Sequence, residues 1–503
     1  MRALIALLAC GSTTIVADDP ATPGEDSASV VGLDGTCDPG APPVYVDEGD
    51  EVRVRVACTG EGTAEAFEVL DLPEGARFER DTLTWTPGLA DAGAWTFDVL
   101  SQGEDDDVGT IAVSVADAWD AAENEPVDPD TYTSEHGVPV VHLEVPGTTN
   151  FDDDVPSSLT FDGHTFAIEL KYRGAASSYY PKKSYTVSFP SWDEFEADGF
   201  EKRRKIVLTT LFDDNSYVRQ QLCYELWNAL DPARHAVQTK TVVVYANGEY
   251  VGLYLLTDHV DGEYFEDWGW NEDWNLYKAV DHQANFHAEY NGSPKSSWNA
   301  GYEKQEGPEG DWADLDAFVE WAATTDDATF REELGDRFVM DELIDWWILV
   351  RFTESDDSGG KNAYLYFDPE EGLIHHVPWD FNHSFGQTWQ TEREAASTDY
   401  DFFWSNNLFA RALTDVQLGP LWETRMRDAL AGPLAVDAIA ARIDAHEEQV
   451  GPSITRDWEK WGESYRTYDG WRWRTDWTEP DEEIAYLRAW VEERHGWVTS
   501  WYP

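Results

Sequence analysis

The chain has 503 residues, 42% of them hydrophobic and 14% aromatic, which is enough for two or three cored domains and too much for a disordered polymer. Ninety-nine Asp and Glu against 35 Lys and Arg give a net charge of −64, and eleven of those 35 are Lys. With no basic stripe to neutralise phosphates, such a surface repels nucleic acid and anionic membranes.

In chain order, Met1-Arg2 supplies a positive end, 3–9 an apolar run, and Leu7-Leu8-Ala9-Cys10 resembles the lipobox of bacterial lipoproteins. Residues 1–10 therefore read as an export signal, too short to span a bilayer. The expected location is the bacterial envelope or outside the cell, with membrane contact only through a lipid on Cys10. Residues 11–35, rich in Ser, Thr, Pro, Gly and Asp, read as a flexible tether. Residues 36–118 read as a small all-β sandwich with strands at 51–57, 66–70, 94–100 and 110–116. The run Leu72-Pro73-Glu74-Gly75-Ala76-Arg77-Phe78, then Trp85-Thr86-Pro87 and Ala92-Gly93-Ala94-Trp95, is similar to Ig- or cadherin-like modules, which implies a spacer. Cys37 and Cys58 are expected to pair in an exported chain, and Cys223 to be a buried free thiol. The acidic run 104–107 is either a solvated turn or a Ca²⁺ cluster, and 119–137 reads as a linker.

Residues 138–503 read as an α+β domain. Strands are expected at 138–145, 167–172 and 185–189, then a helix at 217–230 entered through Asp213-Asp214-Asn215-Ser216, which are N-cap formers. A hairpin at 241–245 and 250–258 turns on Asn247-Gly248. Residues 260–312 read as an unplaced insertion or long loop. Helices follow at 315–324, 340–353, 418–431, 436–450 and 482–502. Among them lies a second hairpin, 362–368 and 373–380, across Pro369-Glu370-Glu371-Gly372.

That hairpin gathers Asp357, Asn362 and Asp380 at its open end. Hard oxygen ligands of this kind suit Mg²⁺ together with a ligand's phosphates. In so acidic a chain, solvated surface is the competing reading. Trp379 and Phe381 flank Asp380, however, and a semi-buried carboxylate needs a partner. The spacing Asp-x4-Asn, hairpin, Asp-Phe-x also matches the catalytic and metal-binding segments of protein kinases. Upstream, a strand ends at Arg173, a small-residue loop holds Ser177 and Ser178, and Lys182-Lys183 enter the next strand. Such a loop lets backbone N–H groups approach phosphate, with a Lys to follow; an ordinary exposed hairpin is the alternative. Neither a Walker A sequence nor a GxGxxG loop is present.

Four stretches, 170–190, 206–230, 242–260 and 354–386, carry a resemblance together: Tyr172-Arg173-Gly174…Pro181-Lys182-Lys183-Ser184-Tyr185, Asp214…Val218-Arg219, Asn247-Gly248-Glu249-Tyr250 and Asp357…Lys361-Asn362…Pro378-Trp379-Asp380. In that order they resemble the spore-coat CotH kinase-like family. The resemblance implies an atypical protein-kinase-like fold that uses ATP and Mg²⁺ or Mn²⁺ to phosphorylate Ser or Thr of envelope or extracellular proteins. It makes Asp357 the catalytic-loop acid, with Asn362, Asp380 and Asn382 on the metal. Lys182 or Lys183 would contact the α/β-phosphates, under a loop of Arg173, Ser177 and Ser178. Glu225 would pair that Lys, and Asp258 would lie near the adenine. The family's second acid is here Asn382, and Asp356 adjoins Asp357. A non-catalytic surface or coat protein on the same scaffold is the alternative, and a carbohydrate-acting protein, suggested by the 25 Trp, a third.

Overall fold

The structure is a computed structural model that describes residues 29–33, 43–58, 67–101, 107–234, 237–266, 269–271, 273–471, 474 and 476–502. The signal-like segment, most of the acidic run 104–107 and the Cys37 partner of the expected disulfide lie outside the described residues. Cys223 is a buried free thiol, as expected. No helix among the described residues is long and apolar enough to cross a membrane.

The fold is α+β and opens with two four-stranded sheets. One runs Ser29–Leu33, Val52–Cys58, Thr82–Trp85, Arg77–Glu79, and the other Val44–Asp47, Asp107–Ala116, Gly93–Ser101, Phe67–Val69. Ser29–Leu33 falls inside the stretch read as a tether. Its Val-Val pair suits a strand, and it pairs in parallel with Val52–Cys58. Alternate residues such as Val54, Leu83, Trp85, Phe97, Val99, Ile111 and Val113 fill one core between the two sheets. The expected linker is packed as well: Trp119 stacks on Tyr250 at 5.3 Å, and Tyr132 is buried beside Val138 and Tyr245.

Seven strands then pair in the order Val138–Glu144, Val155–Phe161, His164–Arg173, Ser184–Ser188, Lys205–Thr210, Glu249–Asp258, Thr239–Ala246. The last lies parallel to the first, which is also antiparallel to the second, so the sheet closes into a barrel. One period-2 set, including Leu159, Phe166, Ile168, Leu170, Val187 and Leu208, fills the interior. The opposite set, Val138, Val140, Val243, Leu253 and Leu255, packs outward on Val450 and Ile454.

Those two residues belong to the helix Val436–Thr467, which runs on past the expected end at 450 with Pro452 inside it. A proline removes one backbone hydrogen bond from a helix. Here the distal half is fastened to the barrel: Trp461 Nε1 donates to Val251 O at 2.8 Å, and Lys460 donates to Tyr250 O. Helices Met340–Thr353 and Leu418–Ala431 stand where the sequence put them. Residues 260–312 are not a free loop. Leu276–Ala279 pairs with both Tyr302–Glu306 and Ala363–Asp368, so the hairpin Ala363–Asp368/Leu373–Pro378 belongs to a four-stranded sheet. Four residues between polar flanks are too few for an alternation to show.

Candidate functional site

Helix Met340–Thr353 stops at Glu354, left-handed at φ 54°, whose buried carboxylate pairs with Arg494. The 3₁₀ turn Asp356–Ser358 then brings Asp357 back against the start of strand Ala363–Asp368. Asn362, at φ 55°, donates its backbone N–H to Ala279 O at 3.0 Å. Its Nδ2 donates to Asp357 Oδ2 at 2.9 Å. Lys361 Nζ donates to both Asp357 oxygens at 2.9 and 2.8 Å, and His282 Nε2 lies 3.3 Å away. Burial raises the Asp357 carboxyl, but Lys361, His383 and His282 together outweigh it and hold the acid below its ordinary value. Asp357 is therefore a permanent anion at neutral pH.

Asp380 follows the second strand in a left-handed conformation, φ 64°, which Asp and Asn tolerate better than most residues. Its N–H donates to Tyr224 Oη at 3.3 Å, and Ser358 Oγ donates to its carbonyl at 3.3 Å. The side chain reaches solvent from among crowded protein groups. Burial, Asp357 and Asp213 push its carboxyl up against the pull of His383 and Lys278. No described residue donates a hydrogen bond to its carboxylate.

Asn382 and His383 both turn to Asp213, which precedes helix Arg219–Leu230. Asn382 Nδ2 donates to Asp213 Oδ2, His383 Nε2 lies 3.3 Å from that oxygen, and Tyr180 Oη donates to it at 3.0 Å. Asn382 Oδ1 is buried with no partner. The orientation follows from chemistry: a carboxylate only accepts, so the carboxamide turns its NH₂ toward it. The helix itself begins at a buried network in which Arg219 Nη1 donates to Asp214 Oδ1 and Nη2 to Glu483 Oε1, both at 2.6 Å.

The cations are arranged otherwise than expected. Lys182 is sealed, its Nζ 2.5 Å from Asp457 Oδ1 and 2.6 Å from Leu253 O. It holds a helix to the barrel and has no access to a ligand. Lys183 Nζ donates to Ser178 O at 2.8 Å, bracing the loop from within. Ser177 and Ser178 lie half-exposed on the turn Ala176–Tyr179. That turn folds back so closely that a Cβ on Gly174, at φ 123°, would meet Ser177 Oγ at 2.1 Å. Glu225 faces away, accepting from Gln221 Nε2 at 3.0 Å and lying 3.9 Å from Arg442. Asp258 is fully buried and saturated by Arg203 Nε at 2.8 Å and the Gln238 N–H at 2.6 Å. A saturated, buried carboxylate is structural, so neither Glu225 nor Asp258 joins the site.

Arg173 does join it. Its guanidinium lies 5.2 Å from the Trp379 ring centroid, and Nη1 is buried with no partner. Lys278, which no motif placed, stands opposite Tyr364 in the sheet. Its Nζ is 5.5 Å from the Tyr364 ring and 5.6 Å from Trp379, with no ion pair to a described residue. Burial and Arg173 push it down to about 8, against Asp380 and Glu303. Two cations with no acid of their own, packed around an aromatic pair beside Asp380, make an anion seat. The scarcity of Lys was the one signal that could have picked out Lys278; Asp213 read only as an N-cap former, and nothing local marked His282 or His383.

Among the described residues no three His, Cys, Asp or Glu side chains gather to hold a metal. The oxygen set at this site is one carboxylate, Asp380, and two carboxamides, Asn362 and Asn382. Both carboxamides have their NH₂ engaged by an acid, and Asn382 Oδ1 is orphaned. This donor set fits a hard divalent cation that completes its shell with phosphate oxygen and water. An open depression of about 790 Å³ lined by His164, Asp193, Glu196 and Phe200 sits at the other end of strand His164–Arg173 and shares no residue with the site.

Residues 170–498 match the CotH kinase protein family. The inner spore coat protein H of Bacillus subtilis (strain 168) is 28% identical over 309 residues, which span 61% of this chain and 83% of that protein. A solved endo-fucoidan hydrolase of glycoside hydrolase family 107 is 15% identical, covers 29% of this chain and 25% of its own, and has a TM-score of 0.13, too low to bear on the fold.

Proposed function

The chain belongs to the CotH kinase protein family, and from that premise we propose that it moves the γ-phosphate of ATP to a Ser or Thr hydroxyl of a protein, with Mg²⁺ or Mn²⁺. The observation that carries this reading is the Asp357–Asn362 contact set beside Asp380, with the acid-free cations Arg173 and Lys278 at the same place. Asp357, held anionic by Lys361, orients the acceptor hydroxyl and takes its proton as the oxygen–phosphorus bond forms and ADP leaves. Arg173 and Lys278 bind phosphate oxygens. Asn362, Asp380 and Asn382 would hold the metal, whose chemistry is to offset phosphate charge and align the transferred group. Labelled ATP with Mg²⁺ or Mn²⁺ tests the reading directly. Equal labelling by wild type, Asp357→Ala and Asp380→Ala would sink it.

Two observations favour a second reading. Lys182, the conspicuous phosphate Lys of the sequence, is locked on Asp457, and Asn382 is uncharged. A scaffold that binds partners without catalysis would show no nucleotide-dependent gain in Tm, whereas tight ATP–Mg²⁺ binding raises it. The Arg2-to-Cys10 segment supports delivery to the cell envelope, which would put the acceptor proteins there. The paired N-terminal sheets support a role as an Ig- or cadherin-like spacer.

A further inference from the structure

Asn362 and Asn382 are treated alike by this fold. Each donates from its NH₂ to a carboxylate, Asp357 for the first and Asp213 for the second. In each case the carboxamide is fixed with its oxygen left over, and for Asn382 that oxygen is buried and unpartnered. Asp213 is itself well held. Tyr180 Oη donates to its Oδ2 at 3.0 Å, His383 Nε2 lies 3.3 Å from the same oxygen, and Gln387 Nε2 donates to its backbone carbonyl at 2.8 Å. It comes from the loop before helix Arg219–Leu230, while Asn382 follows strand Leu373–Pro378. The contact therefore joins the barrel side of the site to the hairpin side.

We propose that Asp213 is a positioning residue for the metal site. It fixes the Asn382 carboxamide through Nδ2, commits Oδ1 to the metal, and supplies beside Asp380 the negative charge that Asn382 lacks. The compensating charge thus sits on a different element, far from Asn382 in sequence. The inference rests on the phosphotransferase reading, since it assumes that a metal binds here.

The test is Mn²⁺ binding in the presence of ATP, followed by electron paramagnetic resonance on the full chain. It uses wild type, Asp213→Ala, Asp213→Asn, and the exchange pair Asp213→Asn with Asn382→Asp. Removing an outer partner of a ligand costs about 10- to 100-fold in metal affinity, and that loss is expected for Asp213→Ala. The exchange restores one acid and one amide facing each other, and is expected to recover binding to within about threefold, a residue of ordinary second-site disturbance. Melting without metal identifies any variant that fails to fold, and the exchange pair then carries the test. Wild-type affinity in Asp213→Ala, or an exchange pair that folds yet binds as weakly as Asp213→Asn, overturns the inference. A wild type that binds no Mn²⁺–ATP overturns the phosphotransferase reading and this inference with it, so the two failures are told apart.

Discussion

Asp357 is fixed by three neighbours, and the chemistry asked of it is proton transfer from a hydroxyl. Asp357→Asn keeps the contact with Asn362 and loses the base, so turnover is expected to fall about 100- to 10,000-fold with little change in Tm; phosphate transfer and melting are measured on the same sample. Lys278 gives a pH signature. With its ammonium pushed down to about 8, the charge that attracts phosphate is present below that pH and lost above it. Affinity for ATP is expected to weaken as pH rises from 7 to 9, and Lys278→Arg, which stays charged, to flatten that slope in calorimetric titration. A wild-type affinity constant over that range would show that Lys278 does not face the nucleotide. Lys278 was hidden because a strand of four residues, Leu276–Ala279, gives no periodicity to read. Asp357, Asn362 and Asp380 were legible because a short hairpin with a Pro–Gly turn sets its own register, and Ala363 does face Pro378.

The helix Val436–Thr467 continues through Gly451-Pro452, a pair whose helix-breaking character predicts an end at 450, and its distal half carries Asp457. Lys182 and Asp457 are 275 positions apart, so nothing local could have shown that the Lys was already engaged. Besides Lys182, Asp457 accepts from the Leu253 N–H at 2.6 Å and from Tyr217 Oη at 2.9 Å. Lys182→Met leaves that carboxylate buried without its cation, and such losses run to about 3–5 kcal/mol. A matching fall in denaturant midpoint is expected, with ATP affinity of the folded fraction unchanged. Lys278→Met is expected to do the reverse. Gly252 lets the helix approach. A Cβ there, at φ 134°, would lie 2.0 Å from Asp457 Oδ1, so Gly252→Ala should also lower Tm.

For the molecule as a whole, the charge of −64 and certain buried acids work in the same direction. Asp117 is raised to about 6, first by burial and then by Glu48 and Glu135, and its Oδ1 has no partner. A carboxyl with a folded-state value above its unfolded one holds its proton in the native protein, so its ionisation costs stability as pH rises from about 4 to about 6. Self-repulsion of the acidic surface grows over the same range. Tm is therefore expected to fall from pH 5 to pH 8 at low salt, and to recover on adding salt. Asp117→Asn should lessen the accompanying loss of stability by about 1.4 kcal/mol at most, because only about one pH unit of its window lies above pH 5. A Tm that rises over this interval would contradict both causes.

Arg456 and Asp457 are consecutive on one helix. Arg456 Nε donates to Glu135 at 3.0 Å and its Nη1 lies 3.3 Å from Asp47 at the end of an N-terminal strand, while Asp457 holds the barrel through Lys182. The two halves of the chain are thus joined through consecutive side chains of one helix, in addition to the packing of the stretch read as a linker. Two adjacent side chains therefore lie on the contact path from the N-terminal sheets to the strand that begins just after Lys182 and Lys183.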